Sequence, residues 1–222
     1  VPPRVTVRGD VRQQEAVALI FDCSGSMSRK LPNNVVPRFQ VGQEVLAGVL
    51  SQLAVAGNWN ASLWLYGHRT RWIRQGNGWV AGLTAAGERE RTAFEQAGRL
   101  FSLQPGDDVG QMLPLQPLGQ GQVEAVRAAL AKLAPGGETP LYRAIREVLQ
   151  QDIQAINPQT PARIVVITDG VNDQTEVPPT TAGEVERLLE QINERRTEPV
   201  KLEIIGFALQ AEKAAERAKL RE

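Results

Sequence analysis

A continuous apolar run of strand length, residues 16–21, passes directly into a polar loop. An apolar stretch of this length is typical of a buried strand. The loop then delivers one carboxylate and two hydroxyls in quick succession, from Asp22, Ser24 and Ser26. Ligands of open α/β sheets bind beyond the carboxyl ends of the strands, and hydroxyl and carboxylate oxygens suit a hard cation such as Mg²⁺. These residues therefore predict a metal-binding loop.

Two later segments offer further oxygen ligands. Thr139 lies in a turn-rich loop that opens a helix, and the glycines of this loop let the backbone turn tightly toward a metal. The same segment predicts the helix start, with Thr139 as the cap and Pro140 as the first helical residue. Asp169 ends a second strand-like run, residues 164–168, and precedes a glycine. We therefore expect one site assembled from three separate segments.

These three segments resemble the von Willebrand factor A (VWA) family, whose metal-ion-dependent adhesion site combines D-x-S-x-S with a threonine and an aspartate from two further loops. The match falls on Asp22, Ser24, Ser26, Thr139 and Asp169. The resemblance implies that Ser24 and Ser26 bind the metal directly and that Thr139 does so directly or through water. It also implies that Asp22 and Asp169 act mainly through water and by hydrogen-bonding the ligands. D-x-S-x-S alone arises by chance in many loops, whereas three ordered segments across about 150 residues are specific.

Strand, helix and strand patterns follow one another along the chain and set the expected fold. Apolar residues between 45 and 53 recur at helical spacing, and residues 61–66 are typical of the next strand. Such crossover units build mostly parallel sheets. With the family resemblance, they predict a Rossmann-like, doubly wound α/β domain, in which helices flank both faces of a mostly parallel central sheet. An antiparallel edge strand is typical of the resembled family and is expected from residues 70–80 or 112–118.

The length of the chain, 222 residues, accommodates one substantial α/β domain and is short for two. We interpret residues 1–222 as a single domain with an insertion at about 75–112, a natural place for partner specificity. A helix is expected within residues 89–102, and the charged tail, residues 211–222, is helical in character. The first residues show neither an initiator Met nor a signal-peptide pattern, so the chain is expected to be a module of a longer protein.

The charge balance argues against nucleic acid and anionic membranes as partners. The chain has 25 Lys and Arg against 25 Asp and Glu, so no global electrostatic field favours either partner. It contains no run of about 18 apolar residues that could span a bilayer. Cys23, the single cysteine, excludes an internal disulfide and a cysteine-based zinc cluster, and we interpret it as a buried spacer. His68, the single histidine, is expected to serve at the surface or to brace a loop.

The favoured function is a non-enzymatic adhesion or scaffold module that binds an acidic residue of a protein partner through a metal. Mg²⁺ is the expected ion, with Mn²⁺ in its place or Ca²⁺ as an alternative, because it can cede one water position to an incoming Glu or Asp carboxylate. Two alternatives stay open. One is a Mg²⁺-dependent hydrolase or phosphoryl-transfer enzyme with Asp22 or Ser24 as the nucleophile, although phosphatases carry a second carboxylate where Ser24 stands. The other is a structural subunit whose metal only stabilises the fold.

Overall fold

The computed structural model describes residues 14–31, 35–76, 78–98, 105–170, 172 and 178–206. Strands and helices alternate through most of this part of the chain. In order, they are β1 (Glu15–Asp22), α1 (Arg38–Ala56), β2 (Trp59–Tyr66), β3 (Thr70–Gln75), β4 (Gly78–Leu83), α2 (Ala85–Arg89), α3 (Arg91–Gln96), β5 (Val109–Pro117), α4 (Gln120–Leu130), α5 (Leu141–Gln151), β6 (Ala162–Thr168), α6 (Ala182–Asn193) and β7 (Lys201–Gly206). Within the described ranges, none of the helices combines the length and apolar character that a bilayer span needs.

The main sheet has five strands in the order β5-β2-β1-β6-β7. The pairs β1–β2, β1–β6 and β6–β7 are parallel, and β5 runs antiparallel to β2 at one edge. This confirms the predicted fold, a mostly parallel sheet with an antiparallel edge strand. The edge strand comes from the later of the two expected segments. The earlier segment instead forms a separate two-stranded sheet, β3–β4.

The central strand β1 separates two hydrophobic cores, because its successive side chains point to opposite faces of the sheet. Leu19 and Phe21 belong to one core, to which α1 and α4 contribute their buried residues. Ala18 and Ile20 belong to the other, which α5 and α6 cover. The apolar run of β1 is continuous because both of its faces are buried. Helices therefore flank both faces of the sheet, as expected for a doubly wound domain.

The strand register brings the polar residues after β1 and β6 to the same edge of the sheet. Asp22 at the end of β1 pairs with Tyr66 at the end of β2. On the other side, Phe21 pairs with Ile167. Thr168 and Asp169 follow Ile167 directly, so they arrive beside the loop that begins at Asp22. The parallel arrangement thus gathers segments that are more than a hundred residues apart in sequence.

A buried carboxylate at the end of α5 ties this helix to the sheet. Asp152 accepts hydrogen bonds from Ser62 Oγ at 2.5 Å, Trp64 Nε1 at 2.7 Å and Gln111 Nε2 at 2.9 Å. Ser62 and Trp64 lie on β2, and Gln111 lies on β5. The carboxylate therefore joins three elements, and these donors offset the cost of burying its charge.

The segment between β2 and β5 contains the β3–β4 hairpin and two short helices, α2 and α3. Thr84 begins α2 as its cap, since its Oγ1 accepts hydrogen bonds from the backbone N–H groups of Ala86 and Gly87 at 3.2 Å. The helix α3 lies within the expected range, residues 89–102, and positions 99–102 of that range lie outside the described residues. The tail at 211–222 also lies outside the described residues.

Candidate metal centre

Asp22 is fully buried at the carboxyl end of β1, and each of its oxygens has a donor. Oδ1 accepts a hydrogen bond from the backbone N–H of Ser24 at 2.7 Å, and Oδ2 accepts one from Thr168 Oγ1 at 2.6 Å. The hydroxyl of Tyr66 donates in turn to Thr168 Oγ1 at 3.2 Å. Three neighbouring strand ends therefore fix the position of this carboxylate.

Two serine hydroxyls and a second carboxylate continue from Asp22 as a hydrogen-bonded chain. Ser24 Oγ lies 3.0 Å from Ser26 Oγ, and Ser26 Oγ donates to Asp169 Oδ1 at 2.6 Å. The structure therefore brings four of the five predicted site residues into direct contact. Because the single hydroxyl proton of Ser26 is donated to Asp169, Ser24 is the donor in the 3.0 Å contact, and one lone pair of the Ser26 oxygen remains for another ligand.

The spacing of the two serine oxygens fits an octahedral cation. Mg²⁺ binds oxygen at about 2.0–2.1 Å, so neighbouring ligands of a regular octahedron lie about 2.9 Å apart. The distance between Ser24 Oγ and Ser26 Oγ is 3.0 Å. Among the described residues, no group of three or more His, Cys, Asp or Glu side chains could hold a metal. The oxygen donors at this site are therefore the serine hydroxyls beside two carboxylates, those of Asp22 and Asp169.

The loop that carries Thr139 is joined by backbone hydrogen bonds to the loop that carries Ser24 and Ser26, which we call the serine loop. The N–H of Gly25 donates to the carbonyl of Gly137 at 2.9 Å, and the N–H of Gly136 donates to that of Cys23 at 3.0 Å. Thr139 is buried two residues further on. These bonds bring the threonine loop beside the other predicted ligands.

The predicted start of α5 is wrong by one residue. The helix begins at Leu141, and Pro140 is its N-cap residue with a ψ of 58°. The backbone N–H of Leu141 donates to the carbonyl of Thr139 at 2.8 Å, which forms a tight turn ahead of the helix. Pro140 therefore stands outside the helical region of backbone conformation, and Thr139 lies in the turn before the cap.

Gly67 allows the loop after β2 to approach the serine loop closely. Its φ is +74°, in the left-handed region that favours glycine. A Cβ atom at this position would lie 2.5 Å from the backbone nitrogen of Ser24 and 2.6 Å from its Cα. The carbonyl of Gly67 also accepts a hydrogen bond from the N–H of Gly137 at 3.0 Å. All three loops therefore meet at this glycine.

Arg38, which no sequence pattern singled out, contacts the predicted site residue Asp169. Its Nη1 donates to Asp169 Oδ2 at 2.6 Å, and the two side chains are 12% and 0% exposed. One signal could have identified it. Arg38 opens α1, where the helix dipole disfavours a positive charge, so an arginine here suggests an anionic neighbour.

Burial controls the ionisation of the groups around the site. Burial raises the pKa of Asp22, although hydrogen bonds from Ser24 and Thr168 oppose this effect. Burial, and then the charges of Asp22 and Asp108, raise the pKa of the Cys23 thiol well above its ordinary value. Cys23 is therefore held as a neutral thiol in the core, and its interpretation as a buried spacer is confirmed.

A second buried carboxylate, Asp108, organises the loop after β2. It accepts hydrogen bonds from the backbone N–H groups of His68, Arg69 and Thr70 and from Thr70 Oγ1. The loop wraps around this carboxylate and draws His68 into the interior, where it is 6% exposed. His68 therefore does not lie at the surface, and the loop-bracing alternative of its expected role stays a prediction; its Nδ1 lies 3.7 Å from Asp108 Oδ1.

The ionisation of His68 should make the domain sensitive to acid. Burial, together with the charge of Arg69, lowers the pKa of His68 from 6.5 to about 3. At a pH between these two pKa values, the histidine takes up a proton in the unfolded chain but not in the folded domain, so stability falls as the pH falls. Burial raises the pKa of Asp108 from 3.8 to about 6, despite opposing hydrogen bonds, so its proton uptake has the opposite effect between these two values.

Replacing His68 with Gln should remove the loss of stability that the His68 titration causes and keep the opposite effect of Asp108. At about pH 4.5, we expect His68→Gln to retain about 2–3 kcal/mol more of its neutral-pH stability than the wild type does. Urea denaturation at neutral pH and at about pH 4.5 measures this difference. The effects of ionisable groups that both proteins share cancel in the comparison. Equal losses in the two proteins would show that His68 does not carry the acid sensitivity.

No protein-family model and no curated protein matches the chain. A solved von Willebrand factor type A structure from Catenulispora acidiphila is 13% identical, with a TM-score of 0.50, over 87% of this chain and 33% of that one. The PilB minor pilin from Streptococcus sanguinis is 14% identical, with a TM-score of 0.55, over 96% of this chain and 55% of that one. The chain thus spans between a third and just over half of these proteins. At such identities the likeness shows the fold alone, and that fold is the α/β architecture of a von Willebrand factor type A structure.

Proposed function

We propose that the chain is an adhesion or scaffold module that binds an acidic residue of a protein partner through a divalent cation, Mg²⁺ or Mn²⁺. The contact chain that joins Ser24, Ser26 and Asp169 beside the buried Asp22 carries this proposal. The likeness in fold to a von Willebrand factor type A structure and to a pilin supports it. The coordinating role of these residues is part of the proposal.

Each residue has a distinct task in this proposal. Ser24 and Ser26 would bind the cation through their hydroxyl oxygens, and Thr139 would bind it directly or through water. Asp169 orients the hydroxyl of Ser26 by accepting its proton. Asp22 fixes the serine loop by accepting the backbone N–H of Ser24. When bound, the cation would supply a Lewis-acidic position for a carboxylate, and neutral hydroxyl ligands leave it much of its charge.

A binding role fits the ionisable groups near the site better than hydrolysis does. The buried thiol of Cys23 stays protonated and is a poor nucleophile. A serine hydrolase pairs its nucleophilic hydroxyl with a histidine. Here the hydroxyl of Ser26 donates to Asp169, while His68, the single histidine of the chain, is packed near Asp108.

Ser24→Ala tests the proposal because it removes one direct ligand and leaves the backbone contact to Asp22 in place. We expect Mg²⁺ and Mn²⁺ to bind this variant at least about tenfold more weakly, a loss of about 1.4 kcal/mol, in calorimetric titrations. Ser51→Ala is the matched control. Its hydroxyl donates to the carbonyl of Ala47 within α1, so cation binding should not change.

The partner side of the proposal needs a second measurement. Proteins captured by the wild-type domain in Mg²⁺ should be released by EDTA, and Ser24→Ala should capture them weakly in either buffer. Capture that is equal in Mg²⁺ and EDTA, at the same strength for both proteins, would contradict a metal-mediated contact.

A further inference from the structure

Arg38 and Ser26 share the carboxylate of Asp169. The guanidinium holds Oδ2 at 2.6 Å, and the hydroxyl of Ser26 donates to Oδ1 at the same distance. The Asp169 side chain is fully buried, and that of Arg38 is 12% exposed. Solvent and salt therefore screen this ion pair much less than a surface pair. The carboxylate of Asp169 thus lies between the guanidinium of Arg38 and the hydroxyl of the proposed ligand Ser26, so a positive charge is fixed close to the proposed cation site.

The guanidinium changes the charge of the proposed cation site. Asp22 and Asp169 supply two negative charges, and Arg38 balances one of them. A divalent cation next to Ser26 would meet a smaller net negative charge and a like-charged neighbour. Repulsion between such charges is strong where the effective dielectric constant is low.

The contacts of Arg38 also show that its position is not optimal for stability alone. Its Nε is buried and has no hydrogen-bond partner among the described residues. Its place at the start of α1 opposes the helix dipole. A buried donor without a partner and a cation at a helix N-terminus both destabilise the fold, so the ion pair with Asp169 has to offset them.

We infer that Arg38 offsets the negative charge of Asp169 beside the cation site and thereby keeps cation affinity low until an acidic partner is present. This inference rests on the proposed function. A partner carboxylate brings a further negative charge to the site and restores the balance that Arg38 removes. By linkage, the partner then raises the affinity for the cation by the same factor that the cation raises the affinity for the partner. Arg38 thereby increases the share of the cation affinity that depends on the partner.

Arg38→Gln removes the charge of Arg38 and keeps an amide donor on a shorter side chain. The full chain carrying Arg38→Gln should bind Mn²⁺ and Mg²⁺ about tenfold more tightly than the wild type does. Calorimetric titrations with each cation alone measure this difference. Arg38→Met removes the charge without a donor and should change the affinity in the same direction. Arg38→Lys keeps the charge and should bind like the wild type. Arg91→Gln, which breaks an exposed pair with Glu88, is the surface control.

A melting experiment gives a readout that does not depend on a partner. In EDTA, Arg38→Gln should melt at a lower temperature than the wild type, because Asp169 loses its buried counter-ion. Mn²⁺ should then raise its melting temperature by more than it raises that of the wild type. If the wild type binds the cation, and both Arg38→Gln and Arg38→Met bind it no more tightly than the wild type does, the inference about Arg38 is overturned and the proposed function is not. Absence of cation binding in the wild type and in both of these variants would instead overturn the proposed function.

Discussion

Asp22→Asn is expected to abolish the stabilisation that Mg²⁺ gives the domain, while the metal-free domain keeps about the stability of the wild type. At a Mg²⁺ concentration about 100 times the dissociation constant, the wild type gains about 2.7 kcal/mol. If the affinity falls by at least about 100-fold, the variant gains about 0.4 kcal/mol or less. Melting curves with Mg²⁺ and with EDTA measure both quantities.

The metal-free part of this expectation follows from the burial of Asp22. Burial raises the pKa of this carboxyl, so its charge is costly in the folded state at neutral pH. Asparagine removes that charge and keeps an oxygen that can accept the N–H of Ser24. The proton of Thr168 Oγ1 can turn to the carbonyl of Gly170, now at 3.4 Å. The amide group can then donate to Thr168 Oγ1 in place of one of its present donors, the Tyr66 hydroxyl and the N–H of Gly170.

Glu44→Gln provides the control for the lost negative charge, because Glu44 is exposed on α1. This variant should keep the full Mg²⁺ response. A wild-type response in Asp22→Asn would mean that the buried carboxylate takes no part in cation binding.

Gly67→Ala is expected to destabilise the domain by about 3 kcal/mol or more and to displace the serine loop. A non-glycine residue at a positive φ costs about 1–2 kcal/mol. The added Cβ would also lie 2.5 Å from the backbone of Ser24, where no flexible side chain can move aside. Relief of this overlap requires the loops to separate, so cation binding should be lost as well. Denaturant unfolding and a Mg²⁺ titration measure the two effects.

Gly76→Ala is a matched control for the backbone conformation. Gly76 also has a positive φ, of 59°, but a Cβ there would have open space around it. The control should lose about 1–2 kcal/mol and keep its affinity for Mg²⁺. If the two variants lost equal stability, the close approach of Gly67 to Ser24 would have no energetic role.

The central sheet and the gathering of the site residues could be predicted because both depend on local patterns. The apolar run before Asp22 can only be buried on both faces, and a similar run precedes Asp169. Polar residues that directly follow such parallel strands share one edge of the sheet. Asp22 and Asp169 could therefore be placed together without knowledge of their contacts.

The charged groups that support the site could not be predicted in this way. Arg38 meets Asp169 across 131 sequence positions, and only the packing of α1 brings them together. Asp108 occupies a segment typical of an exposed turn, yet it collects three backbone N–H groups from the loop after β2. Asp152 likewise receives its three donors from β2 and β5. These contacts depend on tertiary geometry that sequence spacing does not encode.

A mechanical load applied at the serine loop would enter the sheet at its centre. Asp22 and Asp169 sit at the ends of β1 and β6, which are neighbours in the parallel sheet. β1 is also bonded to β2, and β6 to β7, so each loaded strand is held by a backbone ladder on both sides. A pull along β1 and β6 would have to shear the β1–β2 and β6–β7 hydrogen-bond ladders at the same time. It would not separate a single ladder one hydrogen bond after another from an edge of the sheet. The position of the site thus gives a tether made through it a strong anchorage.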